Sequence, residues 1–197
     1  MVLATSSYKI LQKGSKAPEF SLPGTDGKTH SLTEFTGKKA LLIVFMCNHC
    51  PYVVPKVSYL IELQNKYQNK GLQIVGISAT DIQQVPEDSL EEMKVFAKEQ
   101  GINFVYLYDE TQSVPKKFGA TCTPDPFLFN EKFELVYHGR IDEAHKLGHE
   151  QAQKNDLEIS IQETLDGKKV SVQTHPSMGC NIKWKLGQEP EYWDRPK

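Results

Sequence analysis

Two cysteines three positions apart, Cys47 and Cys50, lie in the stretch "LLIVFMCNHCPYVVPK" (41–56), directly after an apolar run. Such a pair can close a metal site, staple a structure, or carry electrons. The chain has four cysteines among 197 residues, too few for a disulfide scaffold, and in a reducing compartment a close pair is more often catalytic or metal-binding than structural. If a helix begins at the pair, Cys47 meets unpaired backbone N–H groups and the positive end of the helix dipole, which favour a thiolate below the free-thiol value of about 8.5. Cys50, one turn on, is then placed to resolve a mixed disulfide formed at Cys47. His49, between them, either adds an imidazolium that favours the thiolate or faces solvent with no such role.

The elements that must hold this pair are legible as alternating patterns. Runs at 40–45, 72–77, 103–108, 126–130 and 133–139 read as strands, the first two apolar throughout, as expected of central strands buried on both faces. Val53, Val57, Leu60, Ile61 and Tyr67 form one helical face that ends near Gly71, with Pro51 in the first turn and a kink expected at Pro55. A second helix opens on the capping-box spacing of Ser89 and Glu92 and stops at Gly101. A short third helix surrounds "SVPKKFG", and a fourth buries Leu157, Ile161 and Leu165 before Gly167. The segment "EAHKLGHEQAQKN" reads as a loop or frayed helix. Crossover helices imply parallel strands and the closing hairpin adds antiparallel ones. The expected fold is therefore α/β: a mixed central sheet with helices on both faces, an extra N-terminal hairpin around "TDGK", and a C-terminal extension. One domain is expected over 1–197, with its core at about 14–168 and the extension at about 169–197.

A formal charge of −2 leaves no basic field for nucleic acid or an anionic membrane. The first residues lack a secretory pattern and no apolar run is long enough to span a bilayer, so a soluble, cytoplasmic protein is expected.

Further along, "GATCTPDPFLF" places Thr123-Pro124 just before a strand. With the Cys-X-X-Cys, this resembles the thioredoxin-fold superfamily, within its AhpC/TSA and TlpA-like group of peroxiredoxin-like proteins. The phrases "APEFSLPGTDGKTHSLTEFTGKKALLIVF", "LYDETQSVPKKFGA" and "LVYHGRID" resemble the same group, over roughly residues 14–142, and "GCNIKWK" resembles one branch of it. The resemblance implies a three-layer thioredoxin-like fold, a cis bond at Thr123–Pro124, and a substrate-binding role for those two residues, whose loop faces the disulfide and pairs with the substrate chain. It implies an antioxidant thiol–disulfide oxidoreductase acting through Cys47 and Cys50 without a cofactor. Its partners would be a disulfide-containing protein or a small thiol or peroxide, and a thiol electron donor. The alternative is a thiol peroxidase with Cys50 as the oxidised residue. However, Cys47 and Ile43 stand where peroxiredoxins carry a threonine and a proline, and no arginine precedes Arg140 to stabilise the breaking O–O bond. The buried acid that thioredoxins place beneath the second cysteine is also missing from "ALLIVF".

Cys122, two residues before Pro124, should lie near the pair in a supporting role, and Cys180 could return there from the C-terminal extension; a buried inert thiol is the commonest fate of a free cysteine, and a second redox pair or a relay to Cys50 is the alternative for each. A non-enzyme reading gathers Cys47, Cys50, Cys122 and Cys180 into a zinc site, or two of them with a histidine around Cu(I). Among weaker signals, His145 and His149 suggest a solvated face, Arg140 and Asp142 structural charges, and Tyr52 simple packing or substrate contact.

Overall fold

The computed structural model describes residues 3–193. In chain order it contains β1 (Leu3–Thr5), β2 (Ser21–Pro23), β3 (Thr29–Ser31), β4 (Ala40–Phe45), α1 (Val54–Tyr67), β5 (Leu72–Ser78), α2 (Leu90–Gln100), β6 (Val105–Tyr108), α3 (Ser113–Phe118), β7 (Cys122–Thr123), β8 (Asp125–Asn130), β9 (Leu135–His138), α4 (Asp156–Leu165) and β10 (Met178–Asn181).

The central sheet has the order β6-β5-β4-β8-β9. Strands β4, β5 and β6 pair in parallel and β8 and β9 join antiparallel, which is the mixed sheet expected from the sequence. Every residue of β4 is buried because alternate side chains enter two different cores. Leu42 and Val44 face α1, α2 and α4, meeting Val57, Leu60, Met93, Leu157 and Ile161. Leu41, Ile43 and Phe45 face α3 and the N-terminal segment, meeting Phe118, Phe127, Phe129 and Phe35. The hairpin of β2 and β3 forms as expected around "TDGK". Helix α2 is capped by Ser89, whose side chain accepts from the Glu92 N–H, and closes on left-handed Gly101.

Helix α1 starts later than its pattern suggests. It is preceded by a turn over Pro51–Val53, in which the N–H groups of Val53 and Val54 both donate to the Cys50 carbonyl at 2.9 and 3.0 Å. Pro51 disfavours a helical conformation at Cys50, so the cysteines occupy the connection before the helix rather than its first turn. Pro55 consequently sits at the start of α1, where its missing N–H has no helical partner to lose, and the expected interior kink does not arise.

Sequence periodicity did not reveal a second sheet, β1-β10-β7, antiparallel throughout. Its register sets Cys180 opposite both Leu3 and Thr123, and Asn181 opposite Cys122. The C-terminal extension is therefore strung between the N-terminal strand and the segment just before Pro124. Only a glycine permits this approach, because a Cβ on Gly179 would stand 1.9 Å from the Thr123 carbonyl oxygen. Gly179→Ala should force β10 off β7 at a cost of about 2 kcal/mol, which is roughly 4–8 °C in Tm for a chain of this size. Calorimetry together with amide exchange at 178–181 checks this; unchanged melting and protection would show that the strand accommodates the methyl group.

Candidate active site

The connection after β4 carries the pair and is held from two sides. Asp88, fully buried, accepts the Asn48 backbone N–H at 2.8 Å and faces the His49 Nδ1 at 2.6 Å. The Asn48 side chain donates to the Glu87 carbonyl at 2.8 Å and accepts the Tyr106 hydroxyl at 3.0 Å. His49 is thus neither free nor simply solvated: one ring nitrogen lies within 4.8 Å of both the Cys47 sulfur and an Asp88 oxygen. Sequence reading missed Asp88 because in "PEDSLEE" it looks like one more acid at the start of α2.

Across the pair stands Thr123. Its hydroxyl lies 3.6 Å from Cys47 Sγ, and its carbonyl oxygen lies 3.2 Å from Cys50 Sγ. The Thr123–Pro124 bond is cis, as the resemblance implied. The third partner is Cys180, whose Sγ is 2.9 Å from that of Cys50. All four cysteines are buried thiols, with 2 % exposure left at Cys47 and 0 % at Cys50.

These contacts decide where a negative charge resides. Cys50 is pulled two ways: the Thr123 carbonyl favours its protonated form, whereas the Cys180 thiol, the Cys47 thiol and the Tyr52 N–H donate to a thiolate. These donors, together with the Thr123 hydroxyl, outweigh the one acceptor and the cost of burial, so the Cys50 pKa falls far below the free-thiol range. Cys47 moves the other way: it holds its proton by donating it to Cys50, and burial and the nearby Asp88 carboxylate push it further up. The expectation of a Cys47 thiolate at a helix terminus is therefore reversed, because the helix starts too late to serve Cys47 and its preceding turn serves Cys50.

Cys122 does not join this group. Its sulfur sits 3.9 Å from the carbonyls of Pro124 and Ser177, and burial raises its pKa well above the usual value. The four sulfurs accordingly do not assemble a tetrathiolate site. Among the described residues the metal-compatible cluster is Cys47, His49 and Asp88, which shares only Cys47 with that expected set. Tyr52 is half-buried against the core beside the pair. Arg140 binds Asp156 at 2.5 Å, and Asp142 forms a buried ion pair with Lys56 at 2.7 Å. His149, expected on a solvated face, instead stacks on Tyr59 with ring centroids 3.3 Å apart and binds Asp142.

The Redoxin family profile matches residues 12–157, spanning the sheet, the cysteine pair and the Thr123–Pro124 segment. The chain belongs to the Redoxin family. This redoxin superposes on a hypothetical protein from Sinorhizobium meliloti 1021 with a TM-score of 0.87 and 39 % identity, covering 93 % of this chain and 98 % of the other. It also superposes on a Chlorobium tepidum protein assigned as a thiol:disulfide interchange protein, with a TM-score of 0.62 and 25 % identity over 79 % of this chain and 99 % of the other. Among curated relatives, chloroplastic peroxiredoxin Q of Triticum aestivum is 32 % identical over 110 residues, 56 % of this redoxin and 47 % of the relative. The match thus spans about half the length of that relative. No helix among the described residues is long and apolar enough to cross a membrane.

The pKa directions carry a linkage. The unfolded Cys50 thiol titrates near about 8.5 and the folded one far lower, so between those values the unfolded state holds the extra proton. Stability of the reduced protein contributed by Cys50 should rise with pH across that window and be lost as pH falls toward the folded pKa. Thiolate absorbance near 240 nm should persist at about pH 5 in the reduced protein and in Cys122→Ser, and vanish in Cys50→Ser, which should also flatten the pH dependence of Tm. A thiolate signal appearing only above about pH 8 would refute the assignment.

Proposed function

We propose that this redoxin is a thiol–disulfide oxidoreductase in which Cys47 and Cys50 cycle between dithiol and disulfide. The observation that carries the reading is the placement of Thr123, with its hydroxyl toward Cys47 and its carbonyl toward Cys50. Cys47, the first cysteine of the pair, attacks one sulfur of the substrate disulfide. Its proton passes to Cys50, the neighbouring thiolate, and the first product leaves as a thiolate. Cys50 returns that proton to the departing group and, again a thiolate, attacks the Cys47 sulfur of the mixed disulfide, releasing the second product as a thiolate and closing Cys47–Cys50. His49, oriented by Asp88, is the positioning residue on the Cys47 side. Thr123 and Pro124 form the substrate-facing edge. A thiol electron donor restores the dithiol, a cycle suited to the cytoplasm, and we take the core and its C-terminal extension to act as one unit.

A peroxidase reading has one observation in its favour: the thiolate lies on Cys50, the residue that would be oxidised to sulfenic acid. Among the described residues it lacks a stabilising arginine, since Arg140 is engaged with Asp156.

With a disulfide substrate, Cys50→Ser should accumulate a mixed disulfide at Cys47, and Cys47→Ser should lose turnover by two orders of magnitude or more, about 3 kcal/mol of transition-state stabilisation. Mass mapping after rapid alkylation and a reductase assay read these outcomes. Peroxide consumption retained in Cys47→Ser, with sulfenic acid trapped at Cys50, would invert the two roles and establish the peroxidase instead.

A further inference from the structure

Cys180 lies 130 residues from Cys50 in sequence, yet its sulfur is 2.9 Å from that of Cys50. A disulfide bond is about 2.05 Å long, so a movement of about 0.9 Å would join them. The position is not incidental to loose packing. Strand β10 is paired on both edges, and Gly179 presses against the Thr123 carbonyl where any side chain would collide. Downstream, the Ile182 N–H donates to the Thr121 carbonyl at 3.1 Å and the Asp81 N–H donates to the Lys183 carbonyl at 2.9 Å. The side chain of Gln112, fully buried, clamps the same stretch: its amide donates to the Lys183 carbonyl at 2.7 Å and its oxygen accepts the Lys185 N–H at 2.8 Å. Cys122 shows what an inert buried thiol looks like in this fold, with its sulfur set against carbonyl oxygens at 3.9 Å. Cys180, by contrast, touches the sulfur at the centre of the site.

We propose that Cys180 is a third exchanging thiol of the site, which takes the disulfide from Cys47 onto β10. The inference rests on the exchange reading above. After a substrate has oxidised the pair, Cys180 Sγ attacks Cys50 Sγ; the Cys50–Cys180 bond forms as the Cys47–Cys50 bond breaks, and the proton of Cys180 passes to the departing Cys47 sulfur. The step is an isomerisation that needs no further oxidant or reductant. It returns Cys47 as a free thiol, while the oxidised state is held on the C-terminal strand until a thiol donor reduces it.

The test treats the reduced full-length protein with one equivalent of glutathione disulfide, quenches with an alkylating agent, and maps linked peptides by fragmentation. Wild type should yield both Cys47–Cys50 and Cys50–Cys180, with loss of alkylatable Cys180. Cys180→Ser should yield Cys47–Cys50 alone, and Cys50→Ser should leave Cys180 fully alkylated. The inference is overturned if wild type forms only Cys47–Cys50 with Cys180 free, or if Cys180 links to Cys47 or Cys122. Absence of Cys47–Cys50 even in Cys180→Ser would instead bring down the exchange reading itself. Wild type needs no substitution and carries the decisive comparison, so a misfolded variant cannot mask the result.

Discussion

The site depends on the backbone of one residue, Thr123. Its carbonyl meets the Cys50 sulfur, its hydroxyl meets Cys47, and its Cα partner across the β7–β10 ladder is Cys180. Three sulfurs from two distant parts of the chain are therefore gauged against a single peptide unit. The constraint is severe because that carbonyl also fixes the identity of the residue beside Cys180: Gly179 has no room for a side chain. Moving Thr123 would alter the spacing of all three sulfurs together.

Electrostatics follow from this packing. Burial opposes every charge in the cluster, and the charge that survives sits where the most donors converge, on Cys50. Asp88 works against a second thiolate at Cys47 while its other contacts orient His49 and the Asn48 peptide. One carboxylate thus holds the loop in place and keeps the two cysteines chemically unequal. Away from the site, Lys56 and Asp142 are buried together, and His149 binds the same carboxylate, so the turn after β9 is fastened to α1 by a buried ion pair as well as by the buried Ile141.

The sequence made the local and periodic parts of this structure readable. β4 declares itself by an unbroken apolar run, β5 by one interrupted inside it only at Gln73, α2 by its serine cap and terminal glycine, and the Thr123-Pro124 dipeptide by its place in a family pattern. The onset of α1 was misread because two prolines lie close together, and which of them occupies the first helical turn depends on backbone geometry at Cys50 rather than on composition. β1, β7 and β10 escaped notice because strands of three, two and four residues have no period to detect. Asp88 escaped for a different reason: it matters through contacts made across the fold to Asn48 and His49, and nothing beside it in sequence signals those partners, whereas the return of Cys180 to the pair was open in the sequence.

Strand β10 sits between β1 and β7, tying the N-terminal segment to the segment just before Pro124. It is the last of the described strands to leave the ribosome, and until it does, β7 has an open edge and Cys50 lacks a neighbour that favours its thiolate. The central sheet can assemble earlier, from β4 through β9 and the helices between them. A nascent chain with its sheet complete therefore carries a cysteine pair that still lacks one donor to Cys50, and the final strand both closes the edge and supplies it.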